Sequence, residues 1–180
     1  CKESNIGKPK DNFTWAKHSL LSWLKLECKN SGIQFGWLRI FYVYGPRQRI
    51  GSLIPSIVSN LKTGNLPQIR TPMNSNDFIY IDDVIQANIK ACKAKKNGTY
   101  NVGTGISRSF QDISDILQKE LGVDLGTDYF PNPYDGYQMH TQANIGSSKD
   151  NLGFLPKVSL EQGIKSYIPE IKRLHRTEIT

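Results

Sequence analysis

Long apolar runs are missing from this chain of 180 residues. None approaches the roughly 18 residues needed to span a bilayer. Residues 1–12 are polar and charged and do not read as a signal peptide. Both absences predict a cytoplasmic protein with no membrane partner. Cysteine is also scarce: Cys1, Cys28 and Cys92 are far apart, with no Cys-x-x-Cys and no accompanying histidine cluster. A disulfide framework and a zinc site are therefore disfavoured, and no bound metal is expected. Cys28 and Cys92 fall in helical patterns and are expected to be small buried apolar groups. Zinc-finger, helix-turn-helix and RNP signatures are absent, so the net charge of +7 is read as scattered surface lysine, with no nucleic-acid partner. The one lysine cluster, at 93–96, suits a helix C-terminus, where cations meet the negative end of the dipole.

The hydrophobic fraction of 38% and aromatic fraction of 10% are enough for one soluble domain with a sizeable core. Apolar residues recur at Phe13, Ala16, Leu20, Leu21 and Leu24 with a helical period, so a helix is predicted to about Lys29, with Asp11 or Asn12 as its N-cap. Residues 33–42 are apolar, branched and aromatic without alternation, the pattern of a parallel strand covered on both faces. Further helices are predicted at 53–63, from Val84 to about Ala94 behind a cap at Asp82 or Asp83, and from Ser107 or Ser109 to Leu121. Two more are predicted at 147–152 and from Ser159 to about Leu174. Extended pieces are predicted at 66–69, 78–81, 98–102 and 127–130, with loop at 131–136. Strand and helix alternate, which argues for an α/β fold with a mainly parallel sheet.

Two further absences bear on chemistry. A dinucleotide-binding unit carries Gly-x-Gly-x-x-Gly between its first strand and helix. The only candidate here, Gly103-Thr104-Gly105, lacks the third glycine and reads better as a strand-to-helix turn. Nor does any tyrosine stand four residues before a lysine. Phe13-Thr14-Trp15-Ala16-Lys17 has the spacing of such a pair, with phenylalanine in the first place. In a Tyr-x-x-x-Lys pair the two groups share one helix face. A neighbouring ammonium lowers the phenol's titration, and the phenolate can then take a proton from a hydroxyl group. Phe13 has no ionisable group.

Several segments in order resemble the extended short-chain dehydrogenase/reductases, the NAD-dependent nucleotide-sugar epimerases and dehydratases. They are Phe13 to Lys17, then Leu38-Arg39-Ile40-Phe41-Tyr42-Val43-Tyr44-Gly45-Pro46, then Asn76-Asp77-Phe78-Ile79-Tyr80-Ile81-Asp82-Asp83-Val84. Tyr100-Asn101-Val102-Gly103-Thr104-Gly105 and Leu152-Gly153-Phe154 with Pro156 follow. Tyr137-Gln138-Met139-His140-Thr141-Gln142-Ala143-Asn144 is similar to a segment of heptose-nucleotide epimerases. The resemblance implies the C-terminal portion of a Rossmann-like parallel sheet, at about 1–44 and 76–106, interleaved with a small α/β substrate-binding lobe at about 45–75 and 123–180. It implies that Lys17 is catalytic, with Phe13 at the usual tyrosine position, and that Lys17, Phe41 and Tyr42 approach NAD or NADP. It implies that Tyr42, Arg47, Asn76, Asn101, Tyr137 and Gln138 approach a nucleoside-diphosphate sugar. Tyr42 stands where many members have asparagine, and Asn76 where arginine commonly contacts phosphate. Epimerase, dehydratase and ketoreductase reactions, a role in polysaccharide biosynthesis and a homodimer are all compatible with this pattern. So is a pseudoenzyme that binds sugar nucleotide without turnover, which Phe13 favours. Because the pyrophosphate-cradling unit is not in the sequence, the 180 residues alone are expected neither to bind NAD tightly nor to be active.

Overall fold

The structure, a computed structural model, describes residues 1–5, 7–131 and 138–177, with side chains described as far as residue 171. Helix α1, Asn12–Ser31, starts at Asp11. The Asp11 carboxylate accepts from the Thr14 N–H at 2.7 Å, and Thr14 Oγ1 accepts from the Asp11 N–H, a capping box. That bond also holds the Asp11 carboxyl below its ordinary range. Gly32, at φ 67°, closes the helix in the left-handed conformation that glycine adopts without a Cβ clash.

The next segment was expected to be one strand. It forms two, β1 (Gly36–Ile40) and β2 (Tyr42–Tyr44), because the chain changes partner at Phe41. The remaining elements are α2 (Leu53–Lys62), β3 (Gln68–Arg70), β4 (Ser75–Asn76), β5 (Phe78–Tyr80), α3 (Ile81–Lys93) and β6 (Gly98–Val102). They are followed by β7 (Arg108–Ser109), α4 (Phe110–Leu121), β8 (Asp128–Phe130), α5 (Gly146–Leu152) and α6 (Leu160–Thr177). β1 runs parallel to β6, from Gly36 opposite Gly98 to Ile40 opposite Val102. β2 runs parallel to β5, from Tyr42 opposite Phe78 to Tyr44 opposite Tyr80. β3 and β8 are also parallel, and among the described residues only β4 with β7 is antiparallel. The alternating, mainly parallel α/β architecture is as the sequence predicts.

Two apolar clusters hold these elements. One packs Ile54, Ile57 and Val58 of α2, Ile113 and Leu117 of α4, and Ile164, Tyr167 and Ile171 of α6 around Ile69 and Phe78. The other packs Val84 and Ala87 of α3 with Ile79, Tyr100, Val102, Leu152 and Phe154. Each large side chain buried this way stabilises the fold by about 1.5–3 kcal/mol.

Several local expectations need correction. Neither Asp82 nor Asp83 caps α3; Tyr80 precedes the helix and no side chain bonds its first N–H groups. Asp83 is buried and its carboxylate accepts from the Lys157 and Val158 N–H groups at 3.0 Å, tying the approach to α6 onto α3. Cys92 is exposed, unlike Cys28. Within α1 only Cys28 is buried, so the apolar period marks a helix but not a covered face. Ser109, rather than Ser107, caps α4, through a capping box with Asp112. Among the described residues no helix is long and apolar enough to cross a membrane.

Candidate functional site

The change of partner at Phe41 creates a fork. The Phe41 N–H still donates to Val102 O on β6 at 3.0 Å, while the Tyr42 N–H donates to Asp77 O beside β5 at 3.0 Å. The backbone thus leaves one parallel neighbour and joins another within two residues. A crevice at the C-terminal ends of diverging parallel strands is where α/β proteins bind ligands. Here the fork opens into a cleft of about 510 Å³ lined by Arg39, Ile40, Phe41, Tyr42, Asn76, Asn101, Gln138 and Thr141, with Cys1, Lys2, Asn5 and Gly7 along one side.

Four of the cleft residues are held by neighbours. The Tyr42 ring packs on Phe78 at 4.6 Å between centroids and edge-on to Phe110 at 6.4 Å. Asn101 is 1% exposed. Its Nδ2 donates to Cys1 O and to Asn144 O, each at 3.1 Å, and its N–H donates to Glu3 Oε1 at 3.1 Å. Arg39 Nη1 donates to the Glu3 and Asn5 carbonyls at 3.0 and 3.2 Å. Asn76 Oδ1 accepts from Thr141 Oγ1 at 2.7 Å.

Behind this wall lies Asp77, fully buried. Its Oδ1 accepts from the N–H and Oγ1 of Thr104, both at 2.6 Å. Its Oδ2 accepts from the Gly105 and Ala143 N–H groups at 2.9 and 3.0 Å. One carboxylate therefore joins three segments: the link from β4 to β5, the turn after β6, and the strand-like stretch around Thr141. Gly103 must be glycine, since a Cβ there would lie 2.7 Å from Ala143 Cβ and 2.8 Å from Asp77 Oδ2. The Gly-Thr-Gly sequence, expected to be a strand-to-helix turn, instead links β6 to the short strand β7 and cradles a buried aspartate.

Of the residues singled out from sequence, Phe41, Tyr42, Asn76, Asn101 and Gln138 line this one cleft. Arg47 does not. It lines a separate pocket of about 190 Å³ with Val43, Gly45, Gln48 and Ile81. It has φ 66°, and its N–H donates to Glu170 Oε1 at 2.9 Å. Phe13 and Lys17 share a helix face as their spacing predicts, with Lys17 Nζ 4.1 Å from the Phe13 ring centroid. Neither lines the cleft, and Phe13 is 66% exposed. The ammonium is attracted to the negative face of the ring, an effect of about 0.5–1 kcal/mol at an exposed site. Tyr137 lies outside the described residues. His140 bonds Ser75 Oγ at 2.8 Å and Ser107 Oγ at 3.3 Å through Nδ1, which ties its segment to β4.

Sequence reasoning missed Arg39, Asn5, Thr141 and Asp77. Asp77 adjoins Asn76 in the same motif, which is a usable signal. Thr141 carries none, because its partner is 65 residues away.

A neighbouring pocket of about 360 Å³, lined in part by Phe78, Thr104, Lys157 and Leu160, holds an ion-paired network. Arg108 meets Glu161 at 2.9 Å and Asp112 at 3.3 Å. Burial alone would push the Asp112 carboxyl up, but bonds from Ser109 and Arg108 outweigh it and hold it below the usual range. Its own backbone N–H and Arg108 hold the Glu161 carboxyl low.

The profile of the NAD dependent epimerase/dehydratase family matches residues 1–103. CDP-abequose synthase of Salmonella muenchen is 33% identical over 135 residues, covering 73% of this chain and 46% of that protein. The UDP-N-acetylglucosamine 4-epimerase of Methanobrevibacter ruminantium M1, solved with UDP-N-acetylmuramic acid, superposes with a TM-score of 0.89 at 28% identity. That likeness covers 97% of this chain and 57% of the epimerase. The UDP-glucuronic acid 4-epimerase of Bacillus cereus superposes with a TM-score of 0.86 at 29% identity, over 96% of this chain and 56% of the enzyme. It was solved as a tyrosine-to-phenylalanine variant with UDP-4-deoxy-4-fluoro-glucuronic acid and NAD. The chain spans about half the length of these proteins. With the family profile matching more than half of its residues, it belongs to the NAD-dependent epimerase/dehydratase family.

Proposed function

We propose that this chain supplies the later Rossmann elements and the substrate-binding lobe of an NAD- or NADP-dependent nucleoside-diphosphate-sugar epimerase, dehydratase or reductase. The observation that carries the reading is the convergence of Phe41, Tyr42, Asn76, Asn101 and Gln138 on one cleft at the strand fork. Neutral amides, a phenol and the Arg39 guanidinium suit the hydroxyl and phosphoryl oxygens of a sugar nucleotide. On this reading Tyr42, Asn76, Asn101 and Gln138 hold the substrate and Tyr137 contacts it, while Arg47, in its separate pocket, does not. Phe41 and Tyr42, in the cleft, would hold the nicotinamide end of the cofactor, which when bound supplies the hydride acceptor; Lys17, outside the cleft, is assigned to that end by the family resemblance alone. The residues present fit that end alone, since the sequence has no Gly-x-Gly-x-x-Gly turn for the pyrophosphate. The protein is read as cytoplasmic and as a homodimer, the latter checked by sedimentation.

A second reading is favoured by one observation. Phe13 stands at the usual tyrosine position with Lys17 over its ring, so the base is lost and the protein binds sugar nucleotide without efficient turnover. Phe13→Tyr in the whole protein separates the two. The new hydroxyl stands one helical turn from Lys17, and activity should rise on the order of 10²-fold or more, increasing with pH as the phenol ionises. A Phe13→Tyr protein that binds substrate and cofactor but stays inert supports the binding-protein reading. Strong turnover by the Phe13 form assigns the base to another group. Failure to bind any nucleoside-diphosphate sugar overturns both readings.

A further inference from the structure

An asparagine amide has a donor end and an acceptor end, and a ligand distinguishes them. At Asn76 a neighbour decides which end faces the cleft. Thr141 Oγ1 lies 2.7 Å from Asn76 Oδ1 and 3.4 Å from the Asp77 backbone nitrogen. The Asp77 N–H can only donate, so it occupies an acceptor site on the Thr141 oxygen. The hydroxyl proton goes to Asn76 Oδ1, its one acceptor among the described residues, so the amide with its oxygen toward Thr141 leaves that proton bonded, whereas the reversed amide would leave it without an acceptor. Asn76 Nδ2 is left with both hydrogens and no protein partner among the described residues, in a side chain that lines the cleft.

Thr141 is itself held in place. Its N–H donates to Ser75 O at 3.0 Å, and the Ser75 N–H donates to Met139 O at 2.9 Å. Two residues on, the Ala143 N–H donates to the buried Asp77 carboxylate at 3.0 Å. The hydroxyl thus sits on a backbone tied at both sides.

We propose that Thr141 is a positioning residue: its hydroxyl fixes the polarity of the Asn76 amide, so that an uncharged NH₂ donor faces the ligand and selects an oxygen acceptor there. The proposal rests on the reading that the cleft takes a nucleoside-diphosphate sugar. A phosphoryl oxygen and a sugar hydroxyl share the required chemistry, and the two arms of the test separate them.

The test compares ¹⁵N-labelled wild type with Thr141→Ser, Thr141→Val and Asn76→Asp. Thr141→Ala serves as a second hydroxyl-free variant in case valine prevents folding. The Asn76 side-chain amide pair is identified by its loss in Asn76→Asp. It should keep its position in Thr141→Ser and move in Thr141→Val and Thr141→Ala. Titration with UDP, then UDP-glucose, should show Kd raised about tenfold, or about 1.4 kcal/mol, in Thr141→Val and Asn76→Asp. Thr141→Ser should stay within about twofold of wild type, because it keeps the hydroxyl. A loss already present with UDP alone identifies a phosphoryl oxygen; a loss seen only with UDP-glucose identifies a sugar hydroxyl. An unmoved amide pair in Thr141→Val, or equal Kd values across the variants, overturns the proposal. A wild type that binds neither probe overturns the functional reading and the ligand half of this proposal, while the amide comparison still judges the lock.

Discussion

In helix α1, Phe13, Trp15, Trp23 and Leu26 are each more than half exposed, whereas Asp77 is fully buried beneath the fork. The helix contributes the Phe13–Lys17 pair on an open surface, with one buried residue along 20. The Asp77 turn contributes no group to the cleft itself, yet its carboxylate takes four bonds from two other segments. The contrast separates two ways of building a site. The cleft wall is closed by interactions among the described residues. The face carrying Lys17 is set by helical spacing alone. Substitutions should therefore be costly to stability at the buried turn and nearly silent for stability on the helix.

The largest effect is expected from Asp77→Ala. It strands three backbone N–H groups, each costing about 1–3 kcal/mol where burial persists. A loss on the order of 3 kcal/mol or more should appear as a lower urea midpoint. Asp77→Asn should recover only part of it, since the amide NH₂ cannot accept from an N–H.

Asp83→Ala comes next. It removes the acceptor for the Lys157 and Val158 N–H groups and should cost about 2 kcal/mol in the same measurement.

A smaller effect attaches to the α4 cap and its ion pairs. Ser109→Ala should cost about 1 kcal/mol. The Asp112 and Glu161 carboxyls are held below their usual values of 3.8 and 4.5 in the folded state. Their contribution is thus present above those values and is lost as pH falls through the lowered ones. Arg108→Gln should flatten the fall in Tm below about pH 4.5, by a modest amount because the pairs are partly exposed.

The smallest effect is expected from Trp23→Lys on α1, within about 0.5 kcal/mol of wild type by chemical denaturation. A cost comparable to that of Asp83→Ala would break the comparison, because it would mean that the helix face is covered.

The sequence carried the element order well, because caps and buried strands leave local marks. Asp11 or Asn12 before a helical period, Ser107 or Ser109 before α4 and the short apolar run of β5, Phe78-Ile79-Tyr80, are all readable without a structure. The fork was not readable, since residues 33–42 look continuous and the change of partner at Phe41 depends on where β5 and β6 lie. The clustering of Tyr42, Asn76 and Asn101 was anticipated by motif resemblance rather than by any local physics. Asp83 looked like a cap because it is acidic at a helix start; its real partners, Lys157 and Val158, are more than 70 residues away. Thr141 and Arg39 act through tertiary contacts, which residue type does not announce.

The claim that the strand fork forms the sugar-nucleotide site is tested most directly by mapping UDP-glucose onto the ¹⁵N-labelled chain by chemical-shift perturbation. The account predicts saturable shifts centred on the backbone amides of Phe41, Tyr42, Asn76, Asn101 and Thr141, with Arg47 and the Arg108–Glu161 pocket unmoved. Shifts centred on either of those other pockets, or none at millimolar ligand, would contradict it.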